Sequence, residues 1–413
     1  MRAIIGSVGT LLISAALLLA GGGLMATLIA VRAQIEGFPI EAIGLMTSAY
    51  FAGFISGCFG TPYLVKRVGH VRVFAALSAM IAAAALTHAI FINIPVWITL
   101  RVLVGFSFAG LYLLIESWIN EQAPNEQRGQ VLSLYRMVDL GAITAGQFML
   151  TLADPGLFIL FSLIAILICV AIFPISLSTA SSPQPVTQTS LNLKKLYKNS
   201  PLAVIGSFGV GLAGGSFWGV APVFVQQLGH PVLIVSIFMS VVIAAGAMLQ
   251  WPAGFISDKV GRRQVLLFSS IGAMFSGLFL WQFAPNSLSL LLVGGGLYGM
   301  FAMQIYGMSA AHANDYAEPG DFVAISGGLL LIYGLGSVVG PSLAPLVMKA
   351  FGPSALFAFT ASVHGVLSVY VAMRIVKRKA PEMTTDYVNI PRPRSMNLIL
   401  RMDPRILKKR KKK

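Results

Sequence analysis

The ten-residue stretch GFISDKVGRR, from Gly254 to Arg263, decides how the rest of the chain folds. An apolar run ends in this stretch, which then supplies an acid, Asp258, and three basic residues before the next apolar run begins at Val265. A short charged turn between two long apolar runs is typical of a chain that leaves a lipid bilayer, turns at its surface and enters it again. The stretch therefore predicts a protein whose helices cross a membrane.

An earlier stretch, Pro62–Arg72 with the sequence PYLVKRVGHVR, repeats the same turn in altered form. At a shift of 192 residues, Gly69 falls on Gly261 and Lys66 falls on Asp258. A second pair of stretches repeats at a shift of 194 residues. An internal repeat of this length indicates that the chain consists of two related halves of roughly equal size.

The composition fits a membrane protein and excludes a water-soluble one. Apolar residues make up 56% of the 413 residues and charged residues only 10%, with a mean hydropathy of +0.81, and so few charges cannot cover a soluble surface. Cys58 and Cys169 both lie in apolar runs and give neither a disulfide nor a metal pattern. The sequence has no phosphate-binding G-x-x-x-x-G-K-[ST] loop and no nucleophile–base pattern. We therefore expect no metal, no cofactor, no ATP-driven pump and no enzyme.

Twelve apolar runs are long enough to cross a bilayer, for which a helix needs about 20 residues. An even number of spans places both ends of the chain on the same side of the membrane. The predicted spans are Ser7–Val31, Ala42–Val65, Val71–Phe91, Val96–Ile119, Gly129–Thr151, Leu157–Leu177, Leu202–Val225, Val232–Ser257, Gln264–Phe283, Ser287–Ala311, Phe322–Met348 and Ser354–Val376.

The distribution of basic residues predicts which side that is, because Lys and Arg are enriched in cytoplasmic loops. Outside the C-terminal tail, eleven basic residues fall on one face, whereas only Arg32 and Lys349 fall on the other. We therefore expect both termini in the cytosol. The eleven residues are Arg2, Lys66, Arg67, Arg72, Arg128, Lys194, Lys195, Lys198, Lys259, Arg262 and Arg263.

Two polar segments divide the chain. Ser178–Ser190 is rich in Ser, Thr, Pro and Gln and is typical of a flexible linker, and Leu191–Lys198 predicts a short basic amphipathic helix on the membrane surface. The predicted organisation is an N-terminal six-helix bundle over residues 1–178, a cytosolic linker over 179–199, a C-terminal six-helix bundle over 200–376 and a basic cytosolic tail over 377–413.

The C-terminal tail carries most of the positive charge. From Arg374 to Lys413 it holds 14 basic and three acidic residues, a net charge of +11 out of +15 for the whole chain. One interpretation is adhesion to anionic lipid headgroups, worth about 1 kcal/mol per basic residue near the surface. Another is a solvated tail that has no partner. Nucleic-acid binding is not expected, because no aromatic-interleaved module accompanies the charge.

The stretch Gly254–Arg263 resembles the signature loop of the major facilitator superfamily of transporters, with its pattern G-x-x-x-D-[KR]-x-G-R-[KR] between two apolar spans. The wider segments VRAQIEGF, ESWINEQAP, AHANDYAEPGDFVA and LLLIYGLGSVVGP resemble the YcaD-type branch of its bacterial members. The resemblance implies an all-α fold of two six-helix bundles around a central cavity, in a monomer of the bacterial cytoplasmic (inner) membrane. It also implies a secondary transporter that moves a small solute by alternating access. The alternative is a membrane scaffold or sensor that acts through the basic tail.

Four Asp, Glu and Arg residues lie deep inside predicted spans, where a charge is costly and is therefore a functional candidate. Arg101 and Glu116 lie in span four, about 22 Å apart along a helix. Arg136 and Asp139 lie in span five, three residues apart, and can meet on one helix face. Three roles stay open, namely a proton relay through Glu116 or Asp139, a static ion pair between helices, and direct contact with substrate. The segment RVLVGFSFAG, which begins at Arg101, resembles the fourth-helix motif of the superfamily, and this resemblance implies coupling to protons.

The resemblance also implies that each signature loop closes the cytosolic side against the fifth helix of the opposite half. The second loop offers Asp258 to Arg128 at the start of span five, and the first loop offers Lys66 to Asp321 before span eleven. The alternative is that Lys66 only follows the positive-inside pattern and that Asp321 only caps a helix. The candidate gating residues are Gly254, Asp258, Lys259, Gly261, Arg262, Arg263, Arg128, Lys66, Arg67, Gly69 and Asp321.

Gln147 departs from the antiporter motif of the superfamily. Span five reads GAITAGQ up to Gln147, where the motif has Pro, and a motif-like stretch ending in Gly340-Pro341 occurs in span eleven instead. The choice between antiport and symport therefore stays open. We expect an aromatic and amide wall of the substrate cavity in the second half, although each of its side chains also fits ordinary helix packing. The wall residues are Gln250, Trp251, Trp218, Tyr298, Gln304 and Tyr306.

Overall fold

The computed structural model describes residues 2–122, 128–177, 192–316 and 322–377, and all regular structure within these ranges is helical. The predicted linker Ser178–Ser190 and the tail from residue 378 onward lie outside the described residues. We number the described α-helices α1 to α15 in chain order.

The first six predicted spans correspond to seven described helices, because the sixth span is divided at Ala171. The apolar runs and the helices agree to within a few residues. The helices are α1 (Arg2–Ile35), α2 (Ile40–Val68), α3 (His70–Ile90), α4 (Ile94–Gln122), α5 (Arg128–Met149), α6 (Ile159–Val170) and α7 (Ile172–Ser176).

The predicted surface helix is present as α8, whose first turn is capped by Asn192 Oδ1 accepting a hydrogen bond of 2.8 Å from the backbone N–H of Lys195. Its Lys194 and Lys195 are exposed and its Leu196 is buried, as expected for an amphipathic helix. The remaining helices are α8 (Leu193–Asn199), α9 (Pro201–Gln227), α10 (Val232–Val260), α11 (Arg262–Phe283), α12 (Leu288–Ala302), α13 (Ile305–Asp315), α14 (Phe322–Phe351) and α15 (Ala355–Lys377), with a 3-10 turn at Ala284–Asn286.

Eleven segments within the described ranges are long and apolar enough to cross a membrane, and they match eleven of the twelve predicted spans. The fifth predicted span forms α5, which is less apolar because it carries Arg136 and Asp139. Large apolar side chains are exposed along the helices, including Ile90 at 70% and Val366 at 72%. Surfaces of this kind suit contact with lipid rather than water.

The tenth predicted span is interrupted between α12 and α13. Gln304 Nε2 donates over 3.1 Å to the carbonyl of Met300, which a regular helix would use for the backbone N–H of Gln304. The same Nε2 donates over 2.8 Å to the carbonyl of Gly246 in α10. A side chain that competes for a helix carbonyl accounts for the break, which the sequence pattern did not predict.

The two signature turns share one backbone geometry. Gly69 separates α2 from α3 with φ +85°, and Gly261 separates α10 from α11 with φ +104°. Both values lie in the left-handed region, which residues that carry a Cβ rarely adopt. The glycines that the 192-residue repeat aligns are therefore required for the same reason in both halves.

The helix packing follows the same repeat. A Cβ added to Gly146 of α5 would lie 2.3 Å from the carbonyl oxygen of Ala20 in α1, and one added to Gly340 of α14 would lie 2.0 Å from that of Leu212 in α9. Gly146 and Gly340 are 194 residues apart, and Ala20 and Leu212 are 192 apart. Small residues thus allow the same close helix contact twice, which agrees with a duplicated chain.

The chain divides into two compact units. The first comprises Met1–Gln188 and Val225–Ser240, and the second comprises Thr189–Phe224 and Val241–Lys413. The first unit holds the four ionisable candidates within spans, and the second holds the loop of Gly254–Arg263 and the expected substrate wall. The predicted bundle boundaries at residues 178 and 200 stay predictions.

Candidate functional site

The ion pair expected on α5 is present in the first unit. Arg136 Nη1 donates to Asp139 Oδ2 over 3.0 Å, one helical turn away. The Asp139 side chain is 2% exposed, whereas that of Arg136 is 18% exposed. The carboxylate is therefore enclosed, and part of the guanidinium group remains accessible. Protonation of Asp139 would remove the charge that holds Arg136 in place, so this pair is suited to link proton binding to a side-chain movement.

Glu116 is a second enclosed carboxyl group in the first unit. Its side chain on α4 is buried, at 2% exposure. Two residues later, Trp118 packs against His70 and Phe74 of α3, with ring centroids 5.6 and 6.3 Å apart. These aromatic contacts fix the C-terminal end of α4, and with it Glu116, against the neighbouring helix.

Arg101 takes part in no ion pair within the described ranges. Its Cζ lies 4.5 Å from the ring centroid of Tyr50 in α2, and the residue is 6% exposed. The face of the Tyr50 ring stabilises the buried charge in place of a carboxylate. Arg101 Nε has no hydrogen-bond partner among the described residues. Arg136 thus pairs with Asp139, Arg101 makes a cation–π contact with Tyr50, and Glu116 is a further buried acid on α4.

Gln147, which stands where the antiporter motif has Pro, connects α5 to α1. Thr27 Oγ1 donates over 2.6 Å to Gln147 Oε1, and Gln147 Nε2 donates over 3.2 Å to the carbonyl of Gly23. The backbone carbonyl of Gln147 also accepts a hydrogen bond of 2.7 Å from Ser236 Oγ, within the same unit. A proline at this position would lack the two side-chain bonds, so the departure from the motif has a structural role.

The loop of Gly254–Arg263 is held by a charged network inside the second unit. Arg262 donates to Asp258 Oδ1 and to Asp315 Oδ2, each over 2.9 Å, and to Ser257 Oγ over 3.1 Å. The side chains of Arg262 and Asp315 are each 2% exposed. Arg263 donates to the hydroxyl group of Tyr316. The loop is thereby attached to the end of α13, a contact that the sequence did not predict.

The other gating candidates occupy simpler positions. Lys66 and Arg67 are exposed at the end of α2, and Lys259 lies 4.3 Å from the ring centroid of Phe255. Gly254 is buried, and its carbonyl accepts a hydrogen bond from Ser257 Oγ over 2.7 Å. Asp321 and the side chain of Arg128 lie outside the described residues. The two latches, Asp258 with Arg128 and Lys66 with Asp321, therefore stay predictions.

An aromatic cavity lies within the second unit, with a volume of about 40 Å³. This is room for a few water molecules. Three of the six expected wall residues, Trp218, Tyr298 and Tyr306, line it. We call it the aromatic cavity, and its lining consists of Val210, Gly214, Phe217, Trp218, Tyr298, Ala302, Met303, Tyr306, Tyr333 and His364.

Two further expected wall residues, Gln304 and Gln250, are not among the described lining residues. Gln304 uses its amide nitrogen to bridge α12 and α10, and Gln250 is buried at 5% exposure. The side chain of Trp251 lies outside the described residues. Conversely, His364 and Tyr333 line the cavity and were not among the expected residues. His364 is a lone ionisable group in an apolar span, which is the signal that could have found it.

Comparison with known proteins gives a consistent result. A family model described as "Major Facilitator Superfamily" matches residues 10–259 and 203–407. Proteins named "Uncharacterized MFS-type transporter YcaD" match over 327 residues, 79% of this chain and 84% of theirs, at 27% identity in Salmonella heidelberg (strain SL476) and 26% in Salmonella typhi.

Solved structures give the same fold. The nucleoside transporter NupG has a TM-score of 0.77 at 16% identity, with 90% of this chain and 99% of that chain covered. A D-xylose-proton symporter has a TM-score of 0.72 at 15% identity, with 92% and 99% covered. At these identities the likeness concerns the fold alone.

Proposed function

Because the chain belongs to the Major Facilitator Superfamily, we propose that it is a secondary active transporter that couples the movement of a small solute to protons by alternating access. Membership confirms the predicted family, the all-α multi-pass membrane fold and the transporter class, as opposed to an enzyme. The solute and the proton coupling are the parts that we propose.

The enclosed pair on α5 is the observation that carries the proton coupling. Asp139 is 2% exposed and 3.0 Å from Arg136, which is itself 18% exposed. A proton bound by Asp139 neutralises the carboxylate and frees the guanidinium group, whereas loss of the proton restores the pair. Two protonation states thus favour two arrangements of Arg136, and a transporter needs such a two-state element to tie proton binding to its conformational change.

Glu116 and Arg101 support the same proposal from α4. Glu116 provides a second enclosed carboxyl group in the same unit. Arg101 is a buried cation that contacts the face of the Tyr50 ring rather than an acid. Its Nε has no hydrogen-bond partner among the described residues and can therefore donate to a group that arrives during transport. If these residues had only a static structural role, we would expect each charge to be paired with an opposite charge. Arg101 instead contacts an aromatic ring.

We further propose that the solute is bound in part by the aromatic cavity of the second unit. The sequence supports a proton-binding first half and a solute-binding second half. Residues 201–257, 264–314, 322–348 and 350–373 include no Asp, Glu, Lys or Arg. The Asp, Glu and Arg residues that lie deep within spans are therefore confined to the first half, and the second half offers aromatic surface with one histidine, His364.

The orientation and location follow the sequence predictions. We propose that the protein lies as a monomer in the bacterial cytoplasmic (inner) membrane with both termini in the cytosol. Eleven basic residues on the predicted cytosolic face against two on the other face support this orientation. The C-terminal tail, with its net charge of +11, is proposed to bind anionic lipid headgroups.

The coupling can be tested with proteoliposomes on a solid-supported membrane. Pools of small metabolites identify a solute that evokes a current in the wild-type protein, and its uptake is then driven by a pH gradient. At one proton per solute, a gradient of one pH unit sustains about tenfold accumulation. We expect Asp139→Asn to lose this accumulation and to retain downhill exchange.

Asp154→Asn is the matched control, because Asp154 is exposed and, among the described residues, its side chain accepts a hydrogen bond only from the backbone N–H of Gly156, over 2.7 Å. This variant should accumulate solute as the wild type does. Full pH-driven accumulation by Asp139→Asn and also by Glu116→Gln would contradict the proposed coupling.

A further inference from the structure

We propose that the aromatic cavity, once widened beyond its volume of about 40 Å³ in this structure, recognises an uncharged planar ring with hydrogen-bond donors and acceptors at its edge, and that His364 and Tyr306 bind that edge. The inference rests on the proposed transport function and adds the chemical class of the solute.

The walls of the cavity supply faces for stacking. Phe217 and Tyr298 lie with ring centroids 5.4 Å apart at an interplanar angle of 34°, and Tyr306 and Tyr333 lie 5.4 Å apart at 72°. The side chain of Trp218 is only partly buried and adds a third aromatic surface to the lining. A flat ring entering such a site finds both faces and edges of aromatic groups, which are the arrangements that aromatic pairs prefer.

The polar atoms of the cavity lack partners. Tyr306 Oη and both ring nitrogens of His364 make no hydrogen bond within the described part of the chain. Tyr306 is 2% exposed and His364 is 1% exposed. Buried polar groups are almost always hydrogen-bonded, so three such atoms around one cavity point to a guest that supplies the partners.

The chemistry of these atoms defines the guest. A neutral imidazole offers one donor and one acceptor, and a phenol hydroxyl group can act as either. A ring edge that carries two or three alternating donors and acceptors matches this set. A sugar with a hydroxyl group on most of its carbons needs more hydrogen bonds than the three unpaired atoms of Tyr306 and His364 provide.

The absence of charge in the surrounding spans excludes ionic ligands. Residues 201–257, 264–314, 322–348 and 350–373, which supply the whole described lining of the cavity, contain no Asp, Glu, Lys or Arg, so a carboxylate, a phosphate or an ammonium ion would lose its hydration without gaining a counter-ion. Aromatic cages can bind quaternary ammonium groups. Such a cation would nevertheless leave Tyr306 Oη and the His364 nitrogens unpaired. We therefore assign the cavity to a neutral ring.

The test is equilibrium binding to the purified full-length protein in lipid nanodiscs. The probes are radiolabelled uracil and adenine as neutral planar rings, D-glucose as a neutral non-planar ring, benzoate as an anionic ring and benzyltrimethylammonium as a cationic ring. We expect binding of at least one of the two neutral planar rings and weaker or no binding of the other three. Stronger binding of any of those three would overturn the assignment, and so would failure of both neutral planar rings to bind.

Variants test the two recognition residues. Tyr306→Phe and His364→Leu should each weaken binding about tenfold, because each removes a buried hydrogen-bonding group. His364→Asn, which keeps a donor and an acceptor, should recover part of the loss, and this recovery separates recognition from simple misfolding. Tyr370→Phe is the matched control, since it removes a hydroxyl group from α15 outside the cavity lining. Wild-type affinity in both Tyr306→Phe and His364→Leu would refute the assigned roles.

Transport measured on the same preparations distinguishes this inference from the proposed function. Binding of a neutral planar ring without any transport would refute the transporter proposal and retain the ligand class. Transport of a charged or non-planar solute, unaffected by Tyr306→Phe, would retain the transporter proposal and refute the ligand class. Occupation of the cavity by water alone would appear as no binding by any probe, which also refutes the inference.

Discussion

Replacing Gly146 by Ala is expected to force α1 and α5 apart. The added Cβ would lie 2.3 Å from the carbonyl oxygen of Ala20 and 2.9 Å from the backbone nitrogen of Leu24. Both are backbone atoms, so no change of rotamer can relieve the overlap. Because ordinary van der Waals contacts begin near 3.4 Å, the two helices must separate locally by about 1 Å.

The expected change in stability follows from comparing Gly146→Ala with Gly141→Ala on the same helix. Overpacking of this kind costs about 1–3 kcal/mol, and the separation also strains the bonds that Gln147 makes to Thr27 and Gly23. Gly141, also on α5, has nothing within 4 Å of an added Cβ. Gly141→Ala should therefore gain up to about 1 kcal/mol of helix propensity. Gly146→Ala gains the same propensity, so the two variants should differ in the free energy of unfolding by the overpacking cost alone, about 1–3 kcal/mol.

The assay is thermal unfolding of the purified variants in one detergent, followed by intrinsic tryptophan fluorescence. Gly146→Ala should lower the apparent Tm by about 2–12 °C, whereas Gly141→Ala should leave it unchanged or raise it. Gly340→Ala should behave like Gly146→Ala, because its Cβ would lie 2.0 Å from a backbone oxygen. Equal melting of Gly146→Ala and Gly141→Ala would refute the close-contact argument.

Three further outcomes are expected. Cysteines introduced at Ser182 and Pro231 should be labelled by impermeant reagents from the cytosolic and the external side respectively, and the reverse pattern would overturn the predicted topology. Lys66→Asp and Asp321→Lys should each impair transport, and the double charge swap should recover part of it; additive loss would mean that the two residues do not pair. Deletion of the tail after residue 377 should weaken binding to anionic vesicles while transport continues, and loss of transport with the tail would favour the scaffold alternative.

The helices and their duplication could be predicted from the sequence, because both depend on local properties. Span length follows from the bilayer thickness, and the turn at Gly261 follows from a backbone conformation that favours glycine. The break at Gln304 could not be predicted in this way. It depends on a side chain that bonds to Gly246, 58 residues away, and no local pattern reports which carbonyl an amide will reach.

The candidate site was predictable to the extent that its residues are neighbours in sequence. Arg136 and Asp139 are three residues apart, so helix geometry alone pairs them. The bond between Arg262 and Asp315 joins α11 to the end of α13, 53 residues later. His364 likewise reaches the aromatic cavity only because α15 packs beside the other lining helices. Such partners are set by the packing of helices, which one sequence does not specify.

The interruption of the tenth span has a mechanical consequence. Tyr298 lies on α12 and Tyr306 on α13, so two of the three tyrosines that line the cavity belong to separate helices, which are joined at Met303 and Gln304. Bending is cheapest where the ladder of helix hydrogen bonds is already incomplete. A guest that contacts both Tyr298 and Tyr306 acts on α12 and α13 at once, and therefore on the joint between them. The tenth span can then flex in response to occupancy without unfolding either of its ends.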